Sequence, residues 1–141
     1  MMRIRIEREK CIGCLTCTTA CIAAHGGGDT RTHITVDATG SYAPIFCRHC
    51  DKPECVYTCM SGAMSKESDT HNVMYDKSRC AHCYMCIMNC PYGVLKMDED
   101  YDLEVMKCDY CKSTEYDGPQ CVANCPTGCI TYVEVPDPCD M

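Results

Sequence analysis

The sequence predicts an α+β fold of two small units, one inserted in the other, with bound metal clusters replacing much of the apolar core. Three observations predict it. Cysteine supplies 18 of 141 residues, a usage that marks either a disulfide scaffold or a metal protein. Large apolar side chains are scarce: Trp is absent, Phe46 is the one Phe, and nine Tyr make up the aromatics. A chain this short needs a source of stability beyond such a core. Finally, alternating strand-like segments stand near both ends of the chain, where they can pair.

The first of these segments is Arg3 to Glu7, in which Ile alternates with charge as in a strand. Residues 1–8 contain no apolar signal core and no twin-Arg motif, and no apolar run in the sequence is long enough to span a bilayer. The expectation is a cytoplasmic chain with no direct membrane span. Structural disulfides are rare in a reducing cytosol, so metal binding is the default role for the cysteines.

The cysteines fall into four groups of four. Group I is Cys11, Cys14, Cys17 and Cys21, spaced C-x2-C-x2-C-x3-C. A short helix is expected over Thr18 to Ala24, ended by Gly26-Gly27-Gly28. His25 to Pro44 reads as a polar, Gly-containing connection and as a candidate partner-contacting loop. Group II is Cys47, Cys50, Cys55 and Cys59. The following segment, Gly62 to Asp76, reads as two short strands around a polar turn, a hairpin signal. Group III is Cys80, Cys83, Cys86 and Cys90, with the group I spacing, a short helix at Ile87 to Asn89, and Pro91. Group IV is Cys108, Cys111, Cys121 and Cys125, followed by Pro126. Ile130 to Val135 alternates as the last strand. Cys129 and Cys139 remain. Cys129 could replace Cys125 at the same x3 interval, but Pro126, matching Cys90-Pro91, argues for Cys125, so Cys129 and Cys139 are read as spare reduced thiols.

C-x2-C-x2-C-x3-C-P is the bacterial ferredoxin run. Three thiolates on one tight loop cap three iron corners of a 4Fe-4S cubane. The fourth, at the start of a helix, points away and ligates the other cluster of a pair. Tetrahedral zinc needs two C-x2-C knuckles rather than a third Cys two residues on and a fourth after three more. Groups II and III, joined by the hairpin, make one ferredoxin-like unit over residues 47–97. The terminal strands bring groups I and IV together as an outer unit over residues 1–46 and 98–141. A sequential pairing, I with II and III with IV, is the alternative, because Val94 to Met97 and Leu103 to Lys107 can also form a hairpin.

The formal net charge is −7, and each ligated cubane adds roughly −2. Such a protein is not expected to bind nucleic acid through phosphates; basic docking patches are its natural partners. The Asp98-Glu99-Asp100 run is either such a contact or a solvated turn. His49 and His82 lie inside C-x2-C loops, where they are expected to cover a cluster or donate to its sulfur rather than ligate iron. No dinucleotide fingerprint, P-loop or Ser-His-Asp constellation is present. The four groups form complete ligand sets that leave no iron open, so a non-catalytic electron carrier is expected.

The segment Cys47-Arg48-His49-Cys50-Asp51-Lys52-Pro53-Glu54-Cys55-Val56-Tyr57-Thr58-Cys59, with Ser61-Gly62-Ala63-Met64 and Cys86-Ile87-Met88-Asn89-Cys90-Pro91-Tyr92-Gly93, resembles the CooF-type proteins of carbon monoxide dehydrogenases. More widely, the four-group pattern is similar to the four-cluster electron-transfer subunits of molybdenum oxidoreductases, formate dehydrogenases and hydrogenases. The resemblance implies nested pairing with crossover of the fourth ligand. One cluster then takes Cys11, Cys14, Cys17 and Cys125, and a second takes Cys108, Cys111, Cys121 and Cys21. A third takes Cys80, Cys83, Cys86 and Cys59, and the fourth takes Cys47, Cys50, Cys55 and Cys90. Group III departs from the family in having His82, not Gly, before its second Cys. The implied donor is a carbon monoxide dehydrogenase, and the acceptor an NAD(P)-linked flavoprotein or a hydrogenase. Service to a formate dehydrogenase or hydrogenase is the alternative within this class. A zinc-stabilised interaction module and a freely diffusing ferredoxin are the rivals outside it.

Overall fold

The chain runs strand, helix, hairpin, helix, hairpin, helix, hairpin, helix, strand. The computed structural model describes residues 1–99 and 103–136. Its strands and helices are β1 (Met2–Ile6), α1 (Thr16–Ala24), β2 (His33–Val36), β3 (Tyr42–Ile45), α2 (Glu54–Tyr57), β4 (Met64–Lys66), β5 (Val73–Tyr75), α3 (Met85–Asn89), β6 (Lys96–Met97), β7 (Val105–Met106), α4 (Gln120–Asn124) and β8 (Ile130–Glu134). Among the described residues, no helix is long and apolar enough to cross a membrane.

Each sheet is a two-stranded antiparallel ribbon. Three are local hairpins. The fourth joins β1 to β8, with Ile4 opposite Tyr132 and Ile6 opposite Ile130. The ladder extends outward through Glu7 N–H to the Cys129 carbonyl at 2.8 Å and Val135 N–H to the Met1 carbonyl at 2.8 Å. The period of two sends Ile4 and Ile6 onto an apolar core of Cys17, Phe46, Cys121, Cys129 and Ile130. It sends Arg3 the other way. That guanidinium donates to Asn72 Oδ1 at 2.9 Å, the His71 carbonyl at 2.9 Å and the His49 carbonyl at 3.3 Å, tying the first strand to the middle of the chain.

A second core holds Met64, Val73, Cys86, Leu95 and Val105. Helix α1 packs on α4 beside the first core, and α2 packs on α3 beside the second. These helices are too short to be stable alone. Each is held by packing and by the cysteines it carries.

The structure corrects three expectations of local structure. First, the helices start before the third cysteine of each group, not after it. Helix α1 begins at Thr16 rather than Thr18, and α3 at Met85 rather than Ile87. Leu15 and Tyr84 precede them with left-handed backbones, φ +62° and +57°. Pro53 and Pro119 precede α2 and α4, where the missing proline N–H costs nothing. The third thiol therefore sits in a first helical turn. Second, residues 25–44 are not simply a connection. They contain the β2–β3 hairpin, closed by Asp37, whose Oδ1 accepts from the N–H groups of Thr39 and Ser41, both at 2.9 Å. Third, the hairpin proposed as a mark of sequential pairing does form, as β6–β7, but beside the β1–β8 ribbon rather than instead of it. The β4–β5 hairpin forms within the expected segment, and Gly26 ends α1 with φ +77°.

Gly13 carries one of the clearest backbone requirements. Its φ is +69°, and a Cβ there meets the Tyr42 ring at 2.8 Å. A left-handed L-residue costs roughly 1–2 kcal/mol, before the ring is displaced. Gly13→Val is expected to destabilise the metal-loaded protein by at least this amount, visible as a lowered thermal midpoint. An unchanged midpoint is the contrary result.

Candidate metal centres

The four cysteine groups share a backbone device. In the first C-x2-C pair of each group the residue before the second cysteine is left-handed: Gly13, His49, His82 and Tyr110 have φ +69°, +45°, +56° and +58°. Only glycine adopts this region freely, and histidine tolerates it better than most. The unfavourable turn thus recurs at equivalent positions in all four groups.

The thiols gather in sets that mix the groups. Cys11, Cys14, Cys17 and Cys125 line one small, partly open pocket, together with Cys129. Cys59, Cys80, Cys83 and Cys86 line another. Each pocket brings three cysteines of one group together with the fourth of another, and the first has Cys129 in its wall as well. Around Cys121, burial pushes the thiol up, and the thiols of Cys108, Cys111 and Cys21 push it further. Around Cys55, burial drives the value to about 11; Cys47, Cys90 and Cys50 add to this while the Lys107 charge opposes it. Among the described residues, no three Cys, His, Asp or Glu side chains converge as ligands of a single ion. The thiols stand around the edges of these spaces.

Hydrogen bonds prepare several sulfurs for negative charge. Thr16 Oγ1 donates to Cys14 Sγ at 3.2 Å, and this bond holds the Cys14 thiol below its ordinary value. Backbone N–H groups reach other sulfurs: Arg31 to Cys21 at 3.3 Å, His82 to Cys80 at 3.4 Å and Met64 to Cys59 at 3.5 Å. Such donors stabilise thiolates and tune iron–sulfur potentials.

His49 and His82, identical in the sequence pattern, differ in the fold. His82 is exposed and meets the Tyr84 ring edge-on at 6.4 Å. His49 is 1% exposed and lies 4.2 Å from the Tyr110 ring. Its Nδ1 accepts from Val73 N–H at 3.0 Å. Burial, then the charges of Lys107 and Arg3, push its pKa down to about 2. The ring is thus neutral, and its proton sits on Nε2. That buried Nε2 has no hydrogen-bond partner among the described residues. An orphaned donor inside a cysteine loop fits an inorganic sulfide or thiolate as its acceptor.

The spare cysteines separate as well. Cys129 is buried beside the first pocket, but its Sγ donates to the Glu7 carbonyl at 3.1 Å, and burial raises it to about 11. It fastens the end of β1 to the start of β8. Cys139 and Asp100 lie outside the described residues, while Asp98 and Glu99 sit at the β6–β7 turn. Sequence reasoning missed Lys107, which is 4% exposed although it carries a charge. Its position next to a ligand cysteine was the one available signal.

A scan for known families matches residues 38–135 to a 4Fe-4S dicluster domain. The chain belongs to the 4Fe-4S dicluster domain family. The match takes in groups II, III and IV, so this family member carries 4Fe-4S clusters. The electron transport protein HydN of Escherichia coli (strain K12) is 31% identical over 153 residues, with 91% of this chain and 85% of HydN covered. The putative oxidoreductase UacF of the same strain is 33% identical over 139 residues, and the phenylglyoxylate dehydrogenase subunit beta of Aromatoleum evansii is 32% identical over 137. The dicluster chain spans 93% and 92% of itself in these matches, but only 21% and 30% of those longer relatives. Among solved structures, the BamBC active-site complex of benzoyl coenzyme A reductase superposes with a TM-score of 0.51 at 24% identity, covering 98% of this chain and 82% of that one. That likeness concerns the fold.

Proposed function

We propose that this dicluster-family protein is a four-cluster electron relay that performs no substrate chemistry. Each cysteine set described above holds one 4Fe-4S cluster, the fourth ligand crossing from the partner group. Groups I and IV make an outer ferredoxin-like unit, residues 1–46 and 98–141, and groups II and III an inserted one, residues 47–97. The observation that carries this reading is the left-handed turn repeated in the first C-x2-C pair of all four groups. Group I has the same turn as the three groups inside the family match. When bound, the clusters supply one-electron chemistry; the protein supplies ligands, sulfur-directed donors and a shell that excludes water.

The partner is a redox enzyme. The resemblance of the Cys47 to Cys59 segment favours a carbon monoxide dehydrogenase as donor, with an NAD(P)-linked flavoprotein or hydrogenase as acceptor. The wider reading, an electron-transfer subunit of another oxidoreductase, is favoured by relatives that include a dehydrogenase subunit and a dimethyl sulfoxide reductase chain. Cys14 is exposed at the rim of its pocket, flanked by the exposed Ile12 and Leu15. That rim offers a partner a close, partly apolar approach to the cluster.

Anaerobically prepared protein is expected to contain about 16 iron and about 16 acid-labile sulfide per chain. Its broad visible absorption should bleach with dithionite. A value reproducibly near half that iron would reduce the relay to two clusters, and a colourless zinc-containing protein would favour an interaction module.

A further inference from the structure

Among the described residues classed as buried, Lys107 is the one Lys or Arg. Its Nζ donates to the Cys108 carbonyl at 3.1 Å and stands 3.4 Å from His49 Nδ1. Both neighbours are neutral. Among the described residues, none of the ion pairs includes Lys107. A buried charge without a counter-charge is strongly unfavourable. Something in the loaded protein must therefore balance it.

The position identifies what that is. Lys107 joins the two halves of the molecule. It precedes the first cysteine of group IV and touches His49 inside the group II loop. Its Nζ thus meets the Cys108 carbonyl of group IV and the ring of His49, which stands between Cys47 and Cys50 of group II. The ammonium therefore lies between the Cys47, Cys50, Cys55, Cys90 set and the Cys108, Cys111, Cys121, Cys21 set. Each set, once it holds a cubane, carries net negative charge.

Resting on the four-cluster reading, we propose that Lys107 is the shared counter-cation of these two adjacent clusters and sets their reduction potentials above the values they would otherwise have. Reduction places one further electron on a cluster, supplied by its neighbour in the relay or by the donor enzyme. The nearby ammonium stabilises the added charge, the more so because water is excluded. No bond forms or breaks. The two clusters at the junction then hold an electron more readily than the clusters of the Cys11 and Cys80 pockets. His49 acts as a positioning residue, its Nδ1 helping to keep the ammonium in place.

The test is a potentiometric titration of the anaerobic protein, followed by electron paramagnetic resonance, with iron counted in every sample. Lys107→Met is expected to retain its iron and to lower the equilibrium constant for reduction of two clusters at least tenfold, which is 59 mV for one electron. Lys107→Arg should leave all four close to the native values. An iron-replete Lys107→Met protein with four unchanged potentials overturns the proposal, as does an equal shift of all four. Should Lys107→Met lose iron instead, Lys107→Arg decides. Full iron in the Arg variant supports a requirement for charge; the same loss in both variants shows a requirement for shape and overturns it. Failure of the four-cluster reading registers separately, as a low iron count in the native protein.

Discussion

Anaerobic removal of iron and sulfide should abolish the cooperative thermal transition of this protein. Six of the seventeen buried apolar residues are cysteines: Cys17, Cys21, Cys86, Cys111, Cys121 and Cys129. All but Cys129 belong to the four groups, so the proposed metal ligands are themselves part of both cores. Folded domains are stable by about 5–15 kcal/mol. Binding at small structural metal sites can contribute about 10–16 kcal/mol at one site alone. Stripping the metal leaves thiols around empty space, and the remaining apolar contacts involve helices of four to nine residues and strands of two to five. Circular dichroism of the stripped protein should therefore show a gradual, non-cooperative change on heating. Rebuilding the clusters with iron and sulfide should restore the melt. A stripped protein that still melts cooperatively near the native midpoint would show that the apolar cores suffice.

The second large effect concerns the crossed ligand sets. Cys11→Ser combined with Cys125→Ser should cost one cluster, about 4 of about 16 iron, because both thiols line one pocket. Cys11→Ser combined with Cys59→Ser removes a ligand from each of two pockets and should perturb two clusters. Serine still offers oxygen, so conversion to a three-iron form or a shifted potential also counts as perturbation. Paramagnetic resonance with iron counting separates the two double variants. If the first pair alters two cluster signals, with each single substitution altering a different one, the crossed arrangement is wrong.

Much of this architecture is legible in the sequence because cysteine spacing is a local constraint with few alternatives. The four groups, the pairing-competent ends and the hairpin of residues 62–76 follow from it. The β2–β3 hairpin escaped because His33-Ile34-Thr35-Val36 and Tyr42-Ala43-Pro44-Ile45 are short and interrupted by polar residues and proline. Their strand character depends on pairing with each other, while their polar setting dominates a local reading. The helix starts escaped for another reason. The left-handed turns at Leu15 and Tyr84 are imposed by wrapping a loop around a centre, and neither residue has a local preference for that conformation. Lys107, packed against His49, is the deepest omission. Lysine is ordinarily exposed, and its burial here depends on two loops separated by 58 positions.

The ribbon of β1 and β8 also fixes an order of events during synthesis. Met2 pairs with Glu134, so the earliest strand waits, unpartnered, until nearly all the described chain has left the ribosome. The segment from Cys47 to Cys90 emerges as a continuous stretch that can close first, and chains generally fold in the order they are made. The cellular machinery delivering iron and sulfide should therefore meet a nascent chain ripe in its middle and open at its start. Under the proposed pairing Cys11, Cys14 and Cys17 would be held waiting for Cys125, exposed to oxidants longer than the thiols of the segment from Cys47 to Cys90.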